Sequence, residues 1–144
     1  MNISVCTLAF GREEHLANLV RGLSANTRLP GELVIAVMQR DAYHLPEAPF
    51  PIRQIMLGAD GIPLAAARNR AASEASGDLL VFLDVDCIPD SRCIEDYARH
   101  SAALDGLMMG EVAYLPAGAT SQGIDEARFE DVGVIHSERA GAPE

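Results

Sequence analysis

With 144 residues, the chain has room for one hydrophobic core and not for two full domains. It is 49% apolar with 5% aromatic residues and no tryptophan, a composition that excludes a disordered or fibrous chain and suits a compact α/β protein. Acids outnumber bases 21 to 11 for a formal charge of −10, so the mean field repels phosphodiester backbones and anionic lipid, and nucleic acid is not an expected partner.

All eleven basic residues are arginine and none is lysine, which removes phosphate chemistries that need an ammonium group. Cys6, Cys87 and Cys93 include no C-x-x-C pair and read as reduced thiols of a cytoplasmic protein. The N-terminal apolar run lacks a basic leader and is too short for a signal peptide or a membrane span. A cytoplasmic chain with no membrane-spanning segment is expected; its oligomeric state is left open.

Ile3 to Phe10 is short and apolar on both faces, as in a strand covered by helices on either side. Leu16, Leu19, Val20 and Leu23 then recur at helical spacing, with Glu13 and Glu14 in a first turn where the helix dipole favours acids. Glu32 to Met38 is a second buried strand, followed by a polar, proline-punctuated loop from Gln39 to Pro51. "IRQIML" predicts a short third strand. Gly58 and Gly61 mark a turn, Pro63 suits a first helical position, and an alanine-rich helix runs to Ser76 before Gly77 stops it.

"LLVFL" is the central strand, and the segment after Pro89 forms a helix with Ile94, Tyr97, Ala98 and Leu104 on one face, capped by Asp90 or Ser91 and ending near Gly106. "LMMGEVAYL" is a candidate further strand. From Pro116 the periodicity fades, and residues 117–144 read as loop or frayed tail. The order β-α-β-β-α-β-α implies an α/β fold with a mostly parallel sheet, helices on both faces, and a ligand crevice beyond the carboxyl ends of the strands.

One such end carries Asp84-Val85-Asp86. Along an extended chain, residues two apart point to the same side, so the two carboxylates stand together and Val85 faces away. Like charges that close repel unless a cation lies between them. Oxygen donors without histidine or thiolate in ligand spacing favour Mg²⁺ or Mn²⁺ over Zn²⁺, and ions of the Mg²⁺ type complete their shell with water and substrate phosphates. His15, His44, His100 and His136 form no metal-ligand pattern. An aspartate after a strand is often only a turn former or helix cap, but Asp90 is already available for that role.

"LAAARNRAASEASGDLLVFLDVDCIPD" resembles the segment of family 2 glycosyltransferases of the GT-A fold in which an Ala-Arg-Asn helix, a Gly-Asp, an apolar strand and a D-x-D motif follow at this spacing. "ISVCTLAFGREEHLANLVRGL" is similar to the same family's first strand and helix. The likeness spans about Asn2 to Pro116. It implies a single GT-A-like, Rossmann-like domain over residues 1–116, truncated relative to full-length members, that binds a nucleotide-diphosphate sugar.

The resemblance further implies Mn²⁺ or Mg²⁺ bridging Asp86 and the diphosphate, with Asp84 near ribose and metal and Val85 beside the nucleotide. It places Arg68 by the diphosphate or base, the backbone of Leu8, Ala9 and Phe10 around the nucleobase, and Arg12 among the donor-binding residues. The reaction implied is transfer of the sugar to an unknown acceptor, with inversion. The family's Pro-Thr-Tyr-Asn-Arg is here Leu8-Ala9-Phe10-Gly11-Arg12, and its Asp-Asp-Gly-Ser after the second strand is replaced by Val37-Met38-Gln39-Arg40-Asp41. Members continue into an acceptor half that supplies a base, often in a Gly-Glu-Asp-type segment; Glu130 and Asp131 do not match it and read as solvated acids, so no catalytic base is named.

Other classes fit less well. "VFLDVDCI" also resembles the first motif of haloacid-dehalogenase-type phosphatases, in which the leading aspartate is a nucleophile, but that chemistry ordinarily uses a lysine. Sugar-nucleotide pyrophosphorylases and P-loop proteins need glycine-rich, lysine-bearing loops that are absent here. The rival reading is a non-catalytic nucleotide-sugar-binding or interaction module.

Overall fold

A computed structural model of the chain describes residues 1–58, 61, 63–104 and 106–135. His136 and the end of the expected tail, 136–144, lie outside the described residues, as do 59 and 60 within the expected turn between Gly58 and Gly61, and residues 62 and 105. The chain divides into two units, Met1–Ala103 and the residues from Leu104 onward; the sequence reading draws its boundary at 116. Among the described residues, no helix is long and apolar enough to cross a membrane.

The first unit contains β1 (Ile3–Ala9), α1 (Glu13–Ser24), β2 (Glu32–Val37), β3 (Ile52–Met56), α2 (Leu64–Glu74), β4 (Leu79–Phe82) and α3 (Cys93–Ser101), the order expected from the sequence. The strands form one sheet, β3-β2-β1-β4, in which every neighbouring pair is parallel. Alternation along the strands sorts the core into two layers. Ile3, Val5 and Ala9 of β1, with Leu33, Ile35 and Val37 of β2 and Val81 of β4, pack with Leu16, Leu19, Val20 and Leu23 of α1 and Ile94 and Ala98 of α3. Cys6, Val34 and Ala36 point the other way and meet Ala67 and Ala71 of α2. These two alanines, one helical turn apart, are the buried stripe of α2, and their small side chains let the helix lie close to the sheet.

Beneath the amino end of the sheet, Glu32 is 4% exposed. One of its oxygens accepts from Ser4 Oγ (2.7 Å), Ser76 N (2.7 Å) and Ser76 Oγ (2.8 Å), and the other from Arg53 Nη1 (3.2 Å). Burial alone would raise its pKa, but the bonds from Ser4, Ser76 and Arg53 outweigh it and hold the carboxyl down at about 2. Gly77 fits here because a Cβ would lie 2.6 Å from Ser4 N.

α3 begins later than the sequence predicts, at Cys93, with Arg92 at its N-cap and no side-chain cap. Asp90 organises the approach: its Oδ1 accepts from Arg92 N at 2.7 Å, and its carbonyl from Cys93 N at 3.2 Å. Cys6 and Cys93 are thiols that burial pushes up to about 11 and about 12 respectively, which makes both poor nucleophiles.

The second unit has β5 (Ala113–Tyr114), α4 (Glu126–Val132) and β6 (Val134–Ile135), with β5 and β6 paired antiparallel. Only two residues of "LMMGEVAYL" are strand. Where the sequence shows little periodicity, Asp125 caps α4 by accepting from Arg128 N at 3.2 Å.

Candidate functional site

The strand order 3-2-1-4 means that the chain leaves β1 for β2 on one side, continues outward to β3, and then crosses β1 to place β4 on the other side. The carboxyl ends of β1 and β4 therefore diverge, and this switch point is where open α/β sheets bind ligands. Phe10, Gly11 and Arg12 leave one strand there, and Leu83 to Asp86 leave the other.

Ladder pairing of β4 ends at Phe82 opposite Cys6, with one further bond from Leu83 N to Cys6 O at 3.1 Å. Asp84 to Cys87 then form a turn closed by Cys87 N donating to Asp84 O at 2.9 Å. The expected extended D-x-D is thus corrected: β1 runs on to Ala9, but the chain past Leu83 leaves the edge of β1, continues no ladder with it, and curls. Asp84 and Asp86 become the first and third residues of the turn, with side chains 73% and 52% exposed. Val85 packs against the α1/α3 layer.

Each carboxylate faces an arginine from a different element. Arg12 Nη1 lies 3.5 Å from Asp86 Oδ2, and Arg68 Nη2, from the middle of α2, lies 3.4 Å from Asp84 Oδ1. Among the described residues, no group of three or more His, Cys, Asp or Glu is gathered closely enough to cage a metal. Two hard oxygen donors at an open rim can hold Mg²⁺ or Mn²⁺ provided that water or phosphate fills the remaining positions.

The loop behind the turn is held to α1. Asn26 Nδ2 donates to Gly22 O (3.0 Å) and Asp90 O (2.9 Å), and its Oδ1 accepts from Ile94 N (3.0 Å). Ile88 and Pro89 lie so close to Gly22 that a Cβ there would be 2.9 Å from Pro89 Cδ.

On the β1 side, Gly11 and Arg12 both have φ of 58°, so two successive left-handed residues lead into α1. Leu8 packs into the α2 layer, Ala9 is buried and its carbonyl accepts from Met38 N at 2.9 Å, and Phe10 is 67% exposed. Of these three, Phe10 presents its side chain at the rim. Gln39 and Tyr43 also belong to this rim and were not singled out from the sequence. Gln39 Oε1 accepts from Gly11 N at 2.9 Å, and Tyr43 Oη donates to Gly11 O at 2.8 Å. Burial and nearby Glu13 push the Tyr43 hydroxyl up to about 12, so it remains a donor throughout the neutral range. Glu13, Gln39, Asp41, Ala42, Tyr43 and His44 line an open cleft beyond the carboxyl end of β2. The departure at Gln39 from the expected acidic pair was the visible signal, but its bond to a backbone amide was not.

A parallel α/β sheet with paired carboxylates at its switch point is an open α/β fold with a candidate ligand crevice there. The family model described as Glycosyl transferase family 2 matches residues 4–108, and the chain belongs to that family. It is similar in fold to the crystal structure of S. aureus TarS, with a TM-score of 0.52, 18% identity, and coverage of 69% of this chain and 19% of that one. It is also similar to S. aureus TarS 1–349, with a TM-score of 0.54, 16% identity, and coverage of 76% and 39%. The chain thus spans well under half the length of these two structures. No curated protein matches it.

Proposed function

We propose that this family 2 glycosyltransferase chain binds a nucleotide-diphosphate sugar in the crevice between β1 and β4, as the donor for transfer to an acceptor with inversion. The observation that carries this reading is the Asp84–Cys87 turn at the switch point, where two exposed carboxylates stand opposite Arg12 and Arg68. Asp86 and Asp84 would hold Mn²⁺ or Mg²⁺. Bound there, the ion supplies Lewis-acid stabilisation of the departing diphosphate.

The chain's own groups account for the rest of donor binding. Arg12 and Arg68 offer planar guanidinium forks to diphosphate oxygens, a bidentate geometry that a lysine could not reproduce. Phe10 offers an exposed ring at the end of β1 for a nucleobase to lie against. The peptide groups of Leu8 and Ala9 are engaged in the sheet, so they shape the floor of the site. Val85 anchors the turn to the core, which keeps both carboxylates at the rim.

Calorimetric titration of UDP, GDP and dTDP, with and without Mn²⁺, tests this. Mn²⁺-dependent binding of one nucleotide, weakened at least tenfold in Asp86→Ala, is expected. Binding that ignores both metal and substitution would leave the turn a structural feature only.

A further inference from the structure

The left-handed turn at Gly11 and Arg12 is the strained part of the crevice. Glycine adopts such a φ freely, whereas arginine does so at a cost that the surroundings must impose. Those surroundings are the loop after β2: the Gly11 peptide N–H is held by Gln39 and its carbonyl by Tyr43. Gln39 is fixed in turn by donating to Asp41 O at 2.9 Å, and Tyr43 exchanges backbone bonds with the Gln54 side chain at 2.7 and 3.0 Å. Strand β3, through Gln54, thus stiffens a turn two strands away. The product of this scaffold is one cation, the Arg12 guanidinium, set 3.5 Å from Asp86 Oδ2. Arg68, by contrast, reaches Asp84 from a regular helix with no such support.

We propose that Arg12 is a stand-in cation that occupies Asp86 in the ligand-free protein and is drawn off by the donor's diphosphate, so that divalent metal and nucleotide enter the crevice together. The inference rests on the donor-site reading above and adds an order to it. A guanidinium and a metal ion compete for the same carboxylate oxygen. A diphosphate offers the guanidinium two or more anionic oxygens and the metal its missing ligands, so its arrival frees Asp86 and fills the ion's shell in one exchange. By linkage, the factor by which nucleotide tightens metal binding equals the factor by which metal tightens nucleotide binding. Gln39 and Tyr43 are positioning residues for Arg12.

The experiment titrates Mn²⁺ into the whole chain, following free Mn²⁺ by electron paramagnetic resonance, first alone and then with the nucleotide diphosphate that binds wild type. Arg12→Ala and Arg12→Gly should bind Mn²⁺ alone about threefold to fivefold tighter than wild type, the factor that an exposed ion pair is worth, while the further gain on adding nucleotide shrinks. Tyr43→Phe and Gln39→Ala should shift Mn²⁺ binding in the same direction by less. Arg40→Ala, which removes a charge from the neighbouring loop, should leave it unchanged. Unaltered Mn²⁺ affinity in both Arg12 variants, with nucleotide coupling intact, would overturn the stand-in role and leave the donor site standing. An equal gain in Arg40→Ala would overturn it as a general charge effect. No Mn²⁺ binding by any protein with nucleotide present would overturn the donor site and this inference together.

Discussion

Arg12 carries two features that a side chain rarely combines, a positive φ of 58° and an ion pair with Asp86 across the crevice. The two can be separated by substitution. Arg12→Gly and Arg12→Ala both delete the guanidinium, but only alanine keeps a Cβ that opposes the left-handed backbone. Arg12→Gly is therefore expected to be more stable than Arg12→Ala by about 1 kcal/mol, a difference of a few degrees in Tm that thermal unfolding would read. Equal stabilities would show that the left-handed turn is not held in solution. The pair with Asp86 is exposed on both sides, so its worth lies in where it places charge, not in what it adds to folding.

At the scale of elements, the D-x-D turn is positioned from behind by α1. Asn26 satisfies Asp90 O and Ile94 N in the connection to α3. Asn26→Ala leaves the buried Ile94 N–H without its partner and Asp90 O with Cys93 N alone, and should cost about 2 kcal/mol in chemical denaturation. Gly22→Ala removes a helix-weakening glycine, a change worth roughly 1 kcal/mol in favour of the helix. Its Cβ would nevertheless press on Pro89 and Ile88, so the variant should be no more stable than wild type and should bind Mn²⁺ with nucleotide more weakly. A stabilised variant with unchanged binding would show that the loop does not depend on α1.

The same elements show how much the sequence disclosed. Strands and helices appeared in the right order because β1 and β2 are apolar on both faces and α1 has a strong apolar stripe, and these patterns are local. The D-x-D geometry was not legible in the same way: the ladder with β1 stops at Phe82 although β1 itself runs on to Ala9, and residue alternation does not record where a pairing ends. Gln39 and Tyr43 escaped notice because they act on a backbone peptide, which no motif of side chains records. Helix α4 has no buried residue, so the one signal for it was Asp125 as a cap.

At the scale of the first unit, Glu32 ties several elements together at the amino end of the sheet. Glu32 joins β1 through Ser4, β3 through Arg53 and the α2–β4 connection through Ser76. Its carboxyl is held at about 2 against an ordinary 4.5, so the folded state is favoured by its ionisation. That contribution is full above about pH 4.5 and disappears as the pH falls from 4.5 toward 2. It is on the order of 3 kcal/mol. Glu32→Gln should flatten the dependence of unfolding free energy on pH across that window; an unchanged acid limb would place the acid sensitivity elsewhere.

The Glu32 node also divides the unit by tolerance to change. Four elements are tied together at the floor of the sheet, at the end opposite the crevice, so the loops at the rim are relieved of holding the strands in register. Mutational drift can therefore alter residues such as Gln39, Asp41 and His44 and retune what the crevice accepts while the scaffold persists. The seat of the fold's robustness and the seat of its adaptability lie at opposite ends of the same four strands.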